Sequence, residues 1–229
     1  MDLRALTYTA RTLGYWSRTQ DVAANNLANA NTAGFKMDLV TAAQAADGSY
    51  PVLVQETDLS QGRLRMTGRE LDLALEGPGF LVVQTPGGER LTRGGALRLD
   101  AERRLVAQDG SPILGDTDQP LVIPDGLLEI TPEGEVQIDK VAVGRLKLRE
   151  LDEGVRVLKE GNGRFLPQGE TVAATTTLVR QQQVEEPNGD LLAGMVDLVT
   201  IQRAYTANAD AMKAMDRVLG TLTADIGKL

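Results

Sequence analysis

Hydrophobic positions along this chain fall into three textures. From the start, Leu3, Leu6, Ala10, Leu13, Ser17, Gln20, Ala24 and Leu27 recur at alternating steps of three and four. That spacing lays one stripe along an α-helix, interrupted by the polar Ser17 and Gln20. At about 1.5 Å per residue such a helix is about 40 Å long. The middle of the chain is different. Turn signals recur at short intervals, as GPG at 77–79, PGG at 86–88, GG at 94–95, DG at 109–110 and 125–126, PEG at 132–134 and GNG at 161–163. Between them lie short alternating runs. LDLAL puts Leu71, Leu73 and Leu75 on one face, and GRLKLREL sets Leu146 and Leu148 against Arg145, Lys147 and Arg149. This pattern predicts half-buried antiparallel strands joined by tight turns. After Pro187-Asn188-Gly189 the helical spacing returns. Leu191, Leu198, Ile201, Tyr205, Met212, Met215, Leu219, Leu222 and Ile226 share a stripe, with Gly194 and Asn208 in the remaining slots.

Two helices of similar pattern at the chain ends predict that the termini pair. The expected fold is α+β, with a central all-β antiparallel domain carried on a two-helix coiled-coil stalk. The expected boundaries are an N-terminal core helix and cap at 1–45, a connector at 46–70, the β domain at 71–178, a linker at 179–190 and a C-terminal core helix at 191–229. Two helices bury one seam and leave their flanks open, here Val22, Val196, Val199 and Val218, and such flanks point to further partners.

One stretch departs from ordinary helix composition. In NNLANANTAGFK, asparagine falls at 25, 26, 29 and 31, although its side chain competes for backbone groups and disfavours helix. Gly34 suits a left-handed stop, with Phe35 folding back onto Ala30 and Leu27 in a Schellman-type cap. That accounts for Asn31 to Phe35. For Asn25, Asn26 and Asn29 the spacing leaves two readings open, a solvated helix end or a set of amides that satisfies neighbouring chains. Asn208 on the C-terminal seam fits the second, since a seam asparagine can fix register.

Composition narrows the chemistry. The 229 residues carry a net charge of −8 with 3% aromatics, the opposite of a nucleic-acid footprint. Cysteine and histidine are both absent, which excludes disulfides, Cys/His zinc sites and a histidine base. No run approaches the ~18 apolar residues of a membrane span, and the N-terminus lacks a basic start followed by an apolar run. Phosphate-loop, dinucleotide-loop and G-x-S-x-G patterns are missing. DTDQPL at 116–121 begins like a calcium loop but has Leu121 where glycine is required. Glu185 and Glu186, in QQQVEEPNGD, are expected to be solvated. No catalytic residue, cofactor or metal site is expected, and the chain does not read as an enzyme.

ANNLANANTAGFK closely resembles the N-terminal signature of the bacterial flagellar rod, hook and hook-associated axial proteins, roughly A-N-N-[LI]-A-N-x-x-T-x-G-[FY]-[KR]. Ala24, Asn25, Asn26, Leu27, Ala28, Asn29, Thr32, Gly34, Phe35 and Lys36 fill it. MVDLVTIQRAYTANADAMKAMDRVL is similar to the family's C-terminal helix, with Gln202, Arg203, Ala204, Tyr205, Asn208 and Asp216 on its usual positions. LSQGRLRMTGRELDLALEGPGFLVVQ resembles the opening of its β domain. The short connector and GRLKLRELDE resemble the proximal-rod type, with the distal-rod type second. VEEPNGDLLAGMVDL departs from the G-x-L-E-x-S-N-V-[DN] stretch common in the family.

The resemblance implies a structural subunit of the basal-body rod in the periplasmic space, exported without a cleaved signal through the flagellar type III apparatus. Its implied partners are other rod subunits and itself in a helical assembly, with no nucleic acid, membrane insertion or small-molecule ligand. The expected assembly residues are Asn25, Asn26, Leu27, Asn29, Thr32, Gly34, Phe35, Leu198, Ile201, Gln202, Tyr205, Asn208, Met212 and Met215. On that reading, Asn26→Ala or Gly34→Val should block assembly more than it lowers monomer stability. The alternative from another class is a β-rich binding or adhesion module on a coiled-coil stalk.

Overall fold

The computed structural model describes residues 3–44 and 51–226, which divide into two compact units. The first comprises Met1–Ala28, Asp38–Glu56 and Asp190–Leu229. It holds helix α1 (Leu3–Ala28), strands β1 (Asp38–Gln44) and β2 (Pro51–Thr57) paired as a two-stranded sheet, and helix α2 (Leu191–Ile226). α1 packs against α2 and β1. Asp190 caps α2: its carboxylate accepts the Leu192 and Ala193 amides at 2.8 and 3.2 Å, satisfying donors that the first turn leaves open.

From Gly194 onwards the α2 stripe falls where the spacing puts it, while Leu191 is exposed. Gly194, Leu198, Ile201, Asn208, Met212 and Met215 are half-buried, while Tyr205 lies at the exposed margin and Ala204 takes its place. On α1 half of the expected stripe is covered among the described residues, since Leu13, Gln20 and Leu27 are half-buried. Ala10, Ser17 and Ala24 face outwards, and the covered positions include Trp16, Thr19, Val22, Ala23 and Asn26. Val22, expected on an open flank, is 7% exposed. Its flanking role is therefore corrected: Val22 turns inwards on the face it shares with Thr19, Ala23 and Asn26, where its apolar side chain leaves water. Leu3, Leu6, Leu219, Leu222 and Ile226 lie outside the residues whose side chains are described.

The second unit comprises Asn29–Met37 and Thr57–Gly189. Its strands in chain order are β3 (Leu64–Met66), β4 (Leu73–Glu76), β5 (Phe80–Thr85), β6 (Gly88–Thr92), β7 (Arg98–Leu99), β8 (Leu105–Val106), β9 (Leu128–Ile130) and β10 (Glu135–Ile138). They continue as β11 (Val141–Arg145), β12 (Leu148–Leu151), β13 (Val157–Gly161), β14 (Arg164–Pro167), β15 (Thr171–Ala173), β16 (Leu178–Gln181) and β17 (Gln183–Glu185). A six-stranded sheet runs β13-β14-β6-β5-β12-β15, a three-stranded one β11-β10-β9, and the pairs β16-β4, β17-β3 and β7-β8 complete the set. The printed ladders are antiparallel, as the turn spacing predicts. The stretches read as connector and linker thus contain β2, β3, β16 and β17.

Strand β5 explains the unbroken run FLVV. Leu81 and Val83 enter one apolar cluster with Leu73, Leu97, Ile113 and Val136. Phe80 and Val82 enter a second with Leu91, Leu114 and Phe165. A strand buried on both faces carries no polar alternation. Phe80 meets Phe165 edge-on at 5.8 Å, a favourable geometry for two quadrupoles. Lys147, expected on a polar face, is buried, and its ammonium reaches Glu89 and Asp118 at 2.7 and 2.5 Å.

Candidate functional site

On α2 the half-buried stripe is flanked by apolar side chains left open to solvent. Leu192 is 73% exposed, Val196 66%, and Met195, Val199 and Val218 about half. An amphipathic helix folded on its own domain covers this material. Asn208 sits on the stripe and donates to the Ala204 carbonyl of its own helix at 2.8 Å. Gln202 is exposed, and its backbone carbonyl accepts the Thr206 hydroxyl at 2.9 Å.

The asparagine run divides between the two units. Within the first, Asn26 brackets Asp38. Its Nδ2 donates to the Asp38 carbonyl at 2.8 Å and its Oδ1 accepts the Asp38 amide at 3.0 Å. One carboxamide thereby imitates a strand partner for the first residue of β1, which an acceptor-only aspartate could not do. Gln55 of β2 donates to the Asp38 carboxylate at 3.0 Å, and Arg18 of α1 donates to Gln55 at 2.6 Å. Asn25 is exposed and Leu27 half-buried. We expect Asn26→Ala to cost about 1–2 kcal/mol, the range for orphaning a partly buried backbone group. Hydrogen exchange at the Asp38 amide should then accelerate while exchange in β5 stays unchanged.

Within the second unit, residues 29–37 form turns rather than a helix cap. Asn29 accepts the Thr32 amide through its carbonyl at 2.9 Å and the Thr32 hydroxyl through Oδ1 at 3.3 Å. Gly34 does adopt the left-handed region, at φ 70°. Its amide, however, donates to the Glu185 carbonyl at 2.7 Å, and Phe35 lies beneath the Lys159 ammonium at 4.3 Å. The Schellman cap is corrected accordingly: α1 ends at Ala28, six residues before Gly34, which is too far away to close it.

Behind Gly34 lies a buried charge cluster. Lys36, Glu185 and Arg93 are 1%, 1% and 3% exposed. Glu185 Oε1 accepts from the Lys36 ammonium at 2.6 Å and from the Gly62 amide at 2.8 Å. Its Oε2 accepts from Arg93 at 3.3 Å. Lys36 also donates to the Ser60 carbonyl at 2.6 Å, and Arg93 to the Leu75 and Gly77 carbonyls at 3.3 and 2.5 Å. The Arg93 guanidinium lies 4.9 Å over the Phe80 ring. Burial pulls the Lys36 ammonium below its ordinary pKa, against the opposing pull of Glu185. Asn188 closes the same region: Oδ1 accepts the Met37 amide at 2.9 Å, and Nδ2 donates to the Asp58 carbonyl and Ser60 Oγ at 2.8 and 3.1 Å.

The expectation of a solvated Glu185 is therefore overturned. A carboxylate that accepts from two cations and one amide can leave water. Glu186 stays at the surface and meets Arg65 at 2.9 Å. Sequence reasoning missed Lys36, Arg93, Glu185 and Asn188 as a group. They are scattered from residue 36 to 188, so no local spacing ties them. The one available signal was Lys36 itself, a cation closing an otherwise uncharged signature. Among the described residues no acidic cluster suited to a metal ion occurs, and no helix is long and apolar enough to cross a membrane.

Comparison with known proteins places these elements. Residues 16–36 match the family described as flagella basal body rod protein. Residues 74–138 match the flagellar hook protein FlgE/F/G D1 domain, and residues 180–225 the flagellar basal body rod FlgEFG protein C-terminal region. The flagellar basal-body rod protein FlgF of Caulobacter vibrioides is 34% identical over 228 residues, covering 93% of this chain and 93% of the relative. The chain belongs to the flagellar basal-body rod protein family. FlgF of Escherichia coli is 32% identical over 91% of the chain and 93% of the relative. FlgG of Buchnera aphidicola is 28% identical over 89% and 92%. Within the rod proteins the chain is FlgF-like. These relatives are named as rod proteins, not as enzymes, and a stalked adhesion module finds no support among them.

Proposed function

We propose that this rod protein is a structural subunit of the proximal part of the basal-body rod and polymerises through its terminal helices. The carrying observation is the open apolar flank of α2, formed by Leu192, Met195, Val196 and Val199 beside a stripe that is itself only half-buried. In the assembled rod this flank, with Leu198, Ile201, Tyr205, Met212 and Met215, packs against helices of neighbouring rod subunits in a coiled-coil manner. Asn25, exposed at the end of α1, is the signature asparagine best placed to meet a neighbour. The resemblance supports passage through the flagellar type III export apparatus without a cleaved signal, and residence of the rod in the periplasmic space.

The test is complementation of a deletion strain of a flagellated bacterium with Val196→Glu and Val199→Glu variants. Both should abolish motility and leave basal bodies without complete rods. The purified variants should melt within about 0.5 kcal/mol of the parent, as surface substitutions do. Normal rods containing the double variant would overturn the proposal. A closed dimer or trimer with stably helical ends, seen by ultracentrifugation and circular dichroism, would instead favour the stalked binding module.

A further inference from the structure

The chain contains two Asn-Gly pairs, Asn162-Gly163 and Asn188-Gly189. Glycine after asparagine leaves the next backbone nitrogen sterically open. That nitrogen can attack the asparagine Cγ and form a C–N bond, expelling the side-chain amide as ammonia, which takes up the nitrogen's proton. Water then opens the cyclic imide at either carbonyl to give aspartate or isoaspartate.

The two pairs stand in opposite surroundings. Asn162 and Gly163 are the two central residues of the β13–β14 hairpin, at φ 51° and 68°, the left-handed pair of a type I′ turn. Asn162 is exposed, and no described residue holds its carboxamide. Asn188 is held by all the bonds already described: the Met37 amide on Oδ1, and the Asp58 carbonyl and Ser60 Oγ on Nδ2. For Gly189 nitrogen to reach Cγ, the carboxamide must rotate away from all three.

We propose that Asn188 is a guarded deamidation site, protected by the structure it holds together. The guard works one way. A carboxylate at position 188 still accepts from Met37, but it cannot donate to the Asp58 carbonyl, whose oxygen then faces an anion. The isoaspartate form also lengthens the backbone by one carbon beside Gly189, where even a Cβ would lie 3.0 Å from Met37 Sδ. A chain that reacts while unfolded therefore cannot rebuild the closure, whereas a folded chain reacts there only slowly.

The full chain is incubated at mildly alkaline pH, folded or in urea, and each Asn-Gly peptide is followed by mass spectrometry for replacement of NH2 by OH. In urea both sites should convert at similar rates. In the folded chain Asn162 should convert, while Asn188 slows at least about tenfold, the factor for a ~1.4 kcal/mol opening step. Equal rates at Asn188 in folded and unfolded chain would overturn the proposal. As a second arm, Asn188→Asp should lower the urea midpoint and Asn162→Asp should leave it in place, since aspartate suits that turn. A parent-like midpoint for Asn188→Asp would also overturn it.

Discussion

Replacing Glu185 by glutamine should destabilise the β unit by about 3–5 kcal/mol, the cost of leaving buried charge uncompensated. That is a large part of the ~5–15 kcal/mol that holds a domain folded. Glutamine keeps the volume and can still accept from Gly62. What disappears is the anion between Lys36 and Arg93, two cations nearly sealed from water. Urea unfolding with a probe in the β unit measures the effect, and a loss below ~1 kcal/mol would show that the cluster is not held by charge. The Lys36→Met, Glu185→Gln double variant should recover part of the loss. It leaves one guanidinium, which keeps the Leu75 and Gly77 carbonyls and the Phe80 face.

The pH dependence follows from the same cluster. The folded chain holds Lys36 below its ordinary value of 10.5. Between the folded and unfolded pKa values the unfolded chain binds more protons, so the Lys36 contribution makes stability rise with pH across that alkaline window. In Glu185→Gln the carboxylate that opposes this shift is gone, and the window widens downwards. The variant should therefore regain stability relative to its parent as the pH is raised.

How far the sequence could be read depended on whether a signal was local. Strand β5, the hairpin at Asn162-Gly163 and the α2 stripe are each set by neighbours within a few residues. Their pattern names the element and its buried face. The buried face of α1 was legible in part. The stripe through Leu13 and Leu27 is half-buried and the adjacent line through Val22 is covered too, and both lines carry polar letters, Ser17 and Gln20 on one, Thr19 and Asn26 on the other. The charge cluster is the opposite case. Lys36, Arg93 and Glu185 meet across 149 positions of sequence, and each letter alone reads as a surface charge. VEEPNG, which departs from the family's usual stretch, turns out to supply both Glu185 and Asn188.

Gly34→Val should also cost several kcal/mol, on the order of 4, and for two separable reasons. Gly34 sits at φ 70°, where a side chain costs about 1–2 kcal/mol and a β-branched one more. A Cβ there would also lie 2.1 Å from the Arg93 carbonyl oxygen, and that backbone cannot easily retreat while the Arg93 guanidinium is bonded to Leu75, Gly77 and Glu185. Gly68 separates the two terms, because it has φ 75° with nothing near its Cβ. Gly68→Ala should show the conformational cost alone, and Gly34→Ala should exceed it by at least ~1 kcal/mol in urea unfolding. Equal losses would mean that the Arg93 strand yields. The expectation that Gly34→Val blocks assembly more than it lowers monomer stability must therefore be read against this monomer cost. A non-motile strain carrying that variant would report damage to the β unit together with any lost contact between subunits. The same reasoning applies in weaker form to Asn26, whose carboxamide is already spent on Asp38. Contacts between rod subunits are better tested where the side chain has little to do inside its own chain, and the exposed Val196 and Val199 on α2 suit that better than Gly34 or Asn26.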